Sequence, residues 1–141
     1  MKVVFLDIDG VMNTYDLVRS HGFDYIDRSL VALLATVVRD TGAEMVLSSF
    51  WRLDPKDRLL VDLALKEFGM FVYDKTPSLS GPRANEIKSW LAANTQVEKY
   101  AILDDDEDAG VGMEHSFFQT SAEIGLTSEI VSRVISHLNR G

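Results

Sequence analysis

Apolar and polar positions along the chain switch between two periods. Lys2 to Leu6 is a short run rich in β-branched and aromatic residues, closed by the turn chemistry of Asp7-Ile8-Asp9-Gly10, and it predicts a buried strand. Glu44 to Leu47, Met70 to Tyr73 and Tyr100 to Leu103 read the same way, and Ser116 to Gln119 makes a weak fifth strand. Between these runs the period lengthens. Leu30, Leu33, Leu34, Val37 and Val38 recur at helical spacing, so a helix runs from about Arg28 to Arg39, with Asp27 as its N-cap and Gly42 as its exit. Asp54-Pro55 opens a second helix to about Phe68. A third runs from about Arg83 to Ala93 with Ile87, Trp90 and Leu91 inward. Thr127 or Ser128 caps a last one, striped by Ile130, Val131, Val134, Ile135 and Leu138. Strands that alternate with helices predict a parallel sheet covered on both faces. The expected fold is therefore α/β, a three-layer Rossmann-like domain with a central parallel sheet of about five strands.

Composition narrows the chemistry more than the fold. A length of 141 residues is expected to form one domain, 1–141, with a core large enough to need no staples. The chain has no cysteine, which excludes disulfides, thiolate zinc sites and thiol catalysis. A net charge of −8 argues against broad, charge-driven binding of nucleic acid, which needs a basic face. No apolar stretch approaches the roughly 20 residues of a membrane span, and the N-terminus enters the first strand without a signal-peptide pattern. No membrane partner is expected, and a cytoplasmic location is.

Polar clusters follow the strands. Asp7 and Asp9, one residue apart, sit just past the first strand, at the edge where open α/β sheets bind ligands. That spacing lets one carboxylate attack or hold metal while the other handles protons, and Gly10 lets the backbone turn sharply. An Asp-rich turn would satisfy the same letters; weight comes from the clusters that follow the later strands. After the second strand come Ser48-Ser49-Phe50-Trp51-Arg52, whose two hydroxyls can donate to a phosphate oxygen, while Arg52 can hold an anion or a neighbouring carboxylate. After the fourth come Asp104-Asp105-Asp106-Glu107-Asp108, hard oxygen ligands suited to Mg²⁺. A calcium loop of the EF-hand type fails here, because the sixth position from Asp104 is Ala109 and the twelfth is His115. Arg83, opening the helix before the fourth strand, can reach the sheet edge and neutralise a phosphoryl group. Lys88, more than one turn further along and the more remote candidate for a substrate contact, and Lys75 in the preceding loop are the rival cations. His21, His115 and His137 lack ligand spacing.

Asp7-Ile8-Asp9-Gly10-Val11, a serine after the second strand, a basic residue before the fourth and Asp-Asp after it resemble the four motifs of the haloacid dehalogenase (HAD) superfamily. Leu47-Ser48-Ser49-Phe50-Trp51-Arg52, Glu86-Ile87 with Trp90-Leu91, Ile102-Leu103-Asp104-Asp105-Asp106 and Gly125-Leu126-Thr127 are similar to its small domain in Swiss army knife RNA-repair proteins. One departure is that the subgroup's Arg-Gly-x-Glu-Ile stands here as Arg83-Ala84-Asn85-Glu86-Ile87.

The resemblance implies a phosphatase. Asp7 would form an aspartyl-phosphate, and Asp9 would serve as acid and then base. Ser48 and Arg83 would bind phosphoryl oxygens. Mg²⁺ would lie on Asp7, the Asp9 carbonyl and Asp104, with Asp105 or Asp108 in support. Ser49, Arg52 and Lys88 are the further substrate-binding candidates. About 38 residues separate Asp9 from Ser48, so Met12 to Tyr25 leaves room only for a short flap and no large cap. An open site suits a nucleic-acid end, a nucleotide or a phosphoprotein, and small metabolites if an oligomer covers the mouth. Oligomeric state is not legible. Two rivals are a signalling receiver, which carries its phosphoacceptor on a middle strand, and a non-catalytic phosphate- or metal-binding module. Other superfamily phosphotransfer is a third alternative.

Overall fold

A computed structural model describes all 141 residues. Five strands, β1 (Lys2–Leu6), β2 (Glu44–Leu47), β3 (Val72–Lys75), β4 (Lys99–Asp104) and β5 (Phe117–Gln119), form one sheet in the order β3-β2-β1-β4-β5. Every pairing in it is parallel. The helices are α1 (Tyr15–His21), α2 (Arg28–Thr41), α3 (Pro55–Lys66), α4 (Arg83–Ala93) and α5 (Ser128–Asn139).

The sheet is apolar on both faces because helices cover both. Val3, Phe5, Val46 and Ile102 meet Ala84, Ile87 and Trp90 of α4. Their neighbours Val4, Leu6, Met45, Leu47 and Leu103 point the other way, into the larger core built with α2, α3 and α5 through Leu34, Val37, Leu65, Val134 and Leu138. This is why the strands read as continuous apolar runs, without a polar alternation. The three-layer α/β expectation holds, and no large cap interrupts it. No helix is long and apolar enough to cross a membrane.

Two local readings change. The third strand starts two residues later than Met70, and α3 ends at Lys66 rather than near Phe68. Gly69, at φ +75°, turns the chain out of the helix, and the Met70 amide closes back onto the Leu65 carbonyl at 3.0 Å. Met70 thereby plugs the core instead of pairing with β2. The segment after β1 also holds α1, where only a flap was expected. Thr14 caps it through the Leu17 amide (3.3 Å) and Gly22 ends it at φ +113°. The helix buries no residue, so no apolar stripe announces it. It is tied down beside the sheet edge by the Tyr15 amide on the Ala122 carbonyl and the Leu126 amide on the Val11 carbonyl, both 3.0 Å.

Candidate active site

Parallel register brings polar residues level at the carboxyl edge of the sheet. Leu6 lies beside Leu47 and Leu103. One step on, the Asp7 amide donates to the Leu103 carbonyl (3.0 Å), Ser48 to Leu6 (2.9 Å), Thr76 to Leu47 (3.1 Å) and Thr120 to Asp104 (3.0 Å). The strand ends therefore present Thr76, Ser48, Asp7, Asp104 and Thr120 in spatial order, all buried. The Thr120 hydroxyl donates to the Gly10 carbonyl at 2.6 Å and holds the turn after β1. The hydroxyls of Ser48 and Thr76 are buried without any partner. A buried unpaired hydroxyl costs about 1–3 kcal/mol, so Ser48 beside Asp7 is a donor in want of an acceptor.

One carboxylate oxygen from each of Asp7, Asp104 and Asp105 lies within 4.8 Å of the other two. Asp105 fits against the turn only because residue 10 is glycine: at φ +80°, a Cβ there would lie 2.4 Å from Asp105 Oδ2. The Arg83 guanidinium reaches in from the first turn of α4, with Nη1 3.1 Å from Asp7 Oδ1 and 2.8 Å from Asp104 Oδ2. Burial, then repulsion from Asp104, pushes Asp7 well above the ordinary carboxylate range, with Arg83 pulling the other way. Burial and then contact with Asp104 push Asp105 up to about 6. Burial works against the charge on Arg83, but Asp7 and Asp104 outweigh it and hold the guanidinium more firmly protonated than usual. Three acids facing one guanidinium leave an excess of negative charge made of hard oxygens, the donor set of a divalent cation such as Mg²⁺.

Asp9 stands apart from this cluster, exposed at the mouth. Its carboxylate is gripped on both oxygens, by the Trp51 indole N–H at 3.1 Å and by Asn13 Nδ2 at 3.0 Å. Asn13 is fixed in turn by the Gly10 amide (2.9 Å) and the Tyr25 carbonyl (3.1 Å). Asp7 and Asp9 are thus separated into a buried carboxylate beside a cation and an exposed one held by neutral donors.

The remaining candidates fall elsewhere. Arg52 takes the carboxylate option of its two: it is buried against Glu86 Oε2 at 2.9 Å and donates to the carbonyls of Ser49, Thr76 and Pro77, leaving no free face for a substrate anion. Ser49 is also buried and accepts the Trp51 amide at 3.2 Å as the cap of the short 3-10 turn Phe50–Leu53. Lys88 extends over the loop at Gly112, where its Nζ would lie 2.7 Å from a Cβ, on the exposed side of α4. Asp108 is exposed in the 3-10 turn Glu107–Gly110 and is not among the gathered carboxylates. Of the three rival cations, Arg83 alone ion-pairs with the site; Lys75 is exposed at the end of β3. Sequence reasoning did not foresee Asn13, Trp51, Thr76 or Thr120. Trp51 stood in the cluster already picked out after the second strand, but nothing in its spacing assigned it a partner.

Beside Asp9 a cleft of about 470 Å³ opens between α1 and the Phe50–Trp51 turn. Phe50 links it to the carboxylates, since the Arg83 guanidinium sits 5.2 Å over its ring.

A parallel sheet with Asp-x-Asp after its first strand, a buried serine after the second, and a cation and carboxylates converging from around the fourth is the arrangement of HAD-type phosphotransfer domains. The chain belongs to the family described as the HAD domain in Swiss Army Knife RNA repair proteins, whose model matches residues 3–131 and so takes in the whole site. No curated protein and no solved structure matches it significantly. Membership supports phosphatase or phosphotransferase chemistry of the HAD type in general.

Proposed function

We propose that this chain is a Mg²⁺-dependent phosphomonoester hydrolase that works through an aspartyl-phosphate, on phosphorylated nucleosides either free or at a nucleic-acid end. The observation that carries the proposal is the single guanidinium of Arg83 shared by Asp7 and Asp104, next to Asp105 and to the unpartnered hydroxyl of Ser48. Asp7 is the nucleophile: a carboxylate oxygen forms a bond to phosphorus as the bond to the ester oxygen breaks. Asp9 gives a proton to the departing oxygen, then takes one from the water that attacks the phosphorus and frees Asp7. Ser48 and Arg83 bind the phosphoryl oxygens. Mg²⁺ held by Asp7, Asp104 and Asp105, with the Asp9 carbonyl, would neutralise charge on the phosphoryl group.

The grip on Asp9 gives a first expected outcome. Trp51→Phe keeps the ring in the turn and deletes one hydrogen bond to the proton carrier. It is expected to lower kcat roughly tenfold, with little change in KM, in steady-state phosphate release. An unchanged kcat would mean that Asp9 needs no such orientation.

The function itself is tested by phosphate release from an aryl phosphate and from nucleotides and oligonucleotides bearing 5′- or 3′-phosphates, with Mg²⁺ and with a chelator. Turnover that disappears on chelation and returns with Mg²⁺ is expected. Turnover indifferent to chelation would overturn the metal assignment, and no turnover on any member would overturn the hydrolase assignment.

A further inference from the structure

We propose that the cleft beside Asp9 holds the leaving group as a single nucleoside, and that it selects nucleoside monophosphates over substrates carrying a second phosphate. The inference rests on the phosphomonoesterase reading above and narrows it.

The cleft carries more aromatic surface than folding requires. Phe23 is 91% exposed, Phe50 73% and Tyr15 63%, and all three line the same opening. Aromatic side chains bury large areas when they can, so three exposed around one mouth form a surface built to be covered. Phe50 also touches Arg83, which places a ring platform one side chain away from the phosphoryl position. A flat ring attached close to the phosphate would meet Phe50, whose ring lies 5.2 Å from the Arg83 guanidinium that pairs with Asp7. A volume of about 470 Å³ is in the range of small-molecule sites.

Charge then sets which ring is accepted. The lining contains Asp9, Asp24, Asp57 and Asp105, and no lysine or arginine. Asp9 carries the proton and Asp105 the metal, which leaves Asp24 and Asp57; an ionised carboxylate only accepts, so these two favour a group rich in N–H and O–H donors, as a ribose with an aminated base is. They repel a second anion. A nucleic-acid strand leaving through this cleft would bring its next phosphodiester against Asp24 and Asp57, with no cation in the lining to receive it, whereas strand-binding grooves supply one positive contact after another. The overall charge of −8 adds to that repulsion.

The test compares kcat/KM, in Mg²⁺ buffer, for propyl phosphate, adenosine 3′-monophosphate and adenosine 3′,5′-bisphosphate. The monophosphate is expected to exceed propyl phosphate, and to exceed the bisphosphate by roughly tenfold at low salt, the second margin shrinking as salt is added. Phe50→Ala combined with Phe23→Ala should cut the preference for the monophosphate over propyl phosphate by about tenfold or more, the stacking of one base. Asp24→Asn with Asp57→Asn should shrink the preference over the bisphosphate. A binding readout stands beside these. Trp51 lines the cleft, so unphosphorylated adenosine should quench tryptophan fluorescence in the native chain and fail to do so in the Phe50 and Phe23 double variant. Turnover with the bisphosphate equal to or faster than the monophosphate, or preferences that the variants leave untouched, overturns the proposal and leaves the hydrolase reading standing. Quenching without turnover of any substrate retains the nucleoside cleft and overturns the hydrolase. Neither quenching nor turnover removes both.

Discussion

Asp7→Asn is expected to abolish turnover and, in metal-free buffer at neutral pH, to raise the melting temperature. If Asp7 is the nucleophile proposed above, its loss should lower kcat by roughly 10⁴-fold or more, since the other members of such a site act through it. The gain in stability comes from the same geometry. Asp7, Asp104 and Asp105 are held within 4.8 Å of one another, with only Arg83 to offset them. Asp7 is raised well above the usual carboxylate range by burial and by Asp104, so folding disfavours its ionised form. The sign follows from linkage. A carboxylate whose folded value is raised binds its proton more tightly in the fold, so its penalty is complete above that value and vanishes below the unfolded value of about 4. In chelator, the native chain should therefore become more stable as pH falls through about 6, where Asp105 takes up its proton. A neutral amide at position 7 removes part of the penalty at pH 7, worth roughly 2–5 °C in melting temperature, and the advantage should fade toward pH 4. Mg²⁺ should reverse the order by stabilising the native chain through binding and the variant less. Differential scanning calorimetry with chelator and with Mg²⁺, at pH 7 and pH 4.5, reads all of this. A variant that melts lower than the native chain in chelator at pH 7 would show that Arg83 outweighs the repulsion among the acids.

How far the sequence carried depends on the range of each interaction. The sheet and its two faces were legible because β1, β2 and β4 carry unbroken apolar runs (Val3–Leu6, Met45–Leu47 and Tyr100–Leu103) and α2 and α5 keep a helical stripe; both are properties of neighbouring residues. The motif residues Asp7, Ser48, Arg83 and Asp104 were legible because each stands at the end of a strand or the start of a helix, so element boundaries alone bring them to one edge. Helix α1 was not legible, because an exposed helix with no buried residue leaves no period to detect. Thr76 and Thr120 join the row of strand ends only once the order β3-β2-β1-β4-β5 is known, and that order is a tertiary fact. The grip on Asp9 likewise pairs residues 42 positions apart. Arg52 marks the limit most clearly. A cation after a strand has the same letters whether it meets a ligand or a buried carboxylate, and the choice was made by Glu86, 34 residues away.

That buried pair gives the largest stability effect expected in the chain. The Arg52 and Glu86 side chains are 1% and 10% exposed, and the guanidinium serves as a clamp. Its Nε and Nη2 hold the Thr76 and Pro77 carbonyls at 3.0 and 3.1 Å, Nη1 holds Ser49 at 2.7 Å, and the same Glu86 oxygen also accepts the Leu79 amide at 2.9 Å. The clamp thus joins the turn after β2 to the loop that leads into Arg83. Arg52→Ala leaves the buried Glu86 carboxylate without its cation, held by the Leu79 amide alone, and takes the side-chain donor from the Thr76 and Pro77 carbonyls, and is expected to destabilise the fold by about 3–5 kcal/mol, a large share of a typical domain's total. Arg52→Lys should recover little, because one ammonium cannot span acceptors arranged around a planar fork. Arg52→Met with Glu86→Leu, which removes both charges at similar volume, should recover much of the loss. It should not recover turnover, because the loop before Arg83 stays unclamped and the guanidinium loses its place on Asp7. Urea unfolding midpoints, set against phosphate release for the same variants, separate the two effects. A loss below about 1 kcal/mol in Arg52→Ala would mean that water replaces the clamp, and that the placement of Arg83 is fixed by α4 alone.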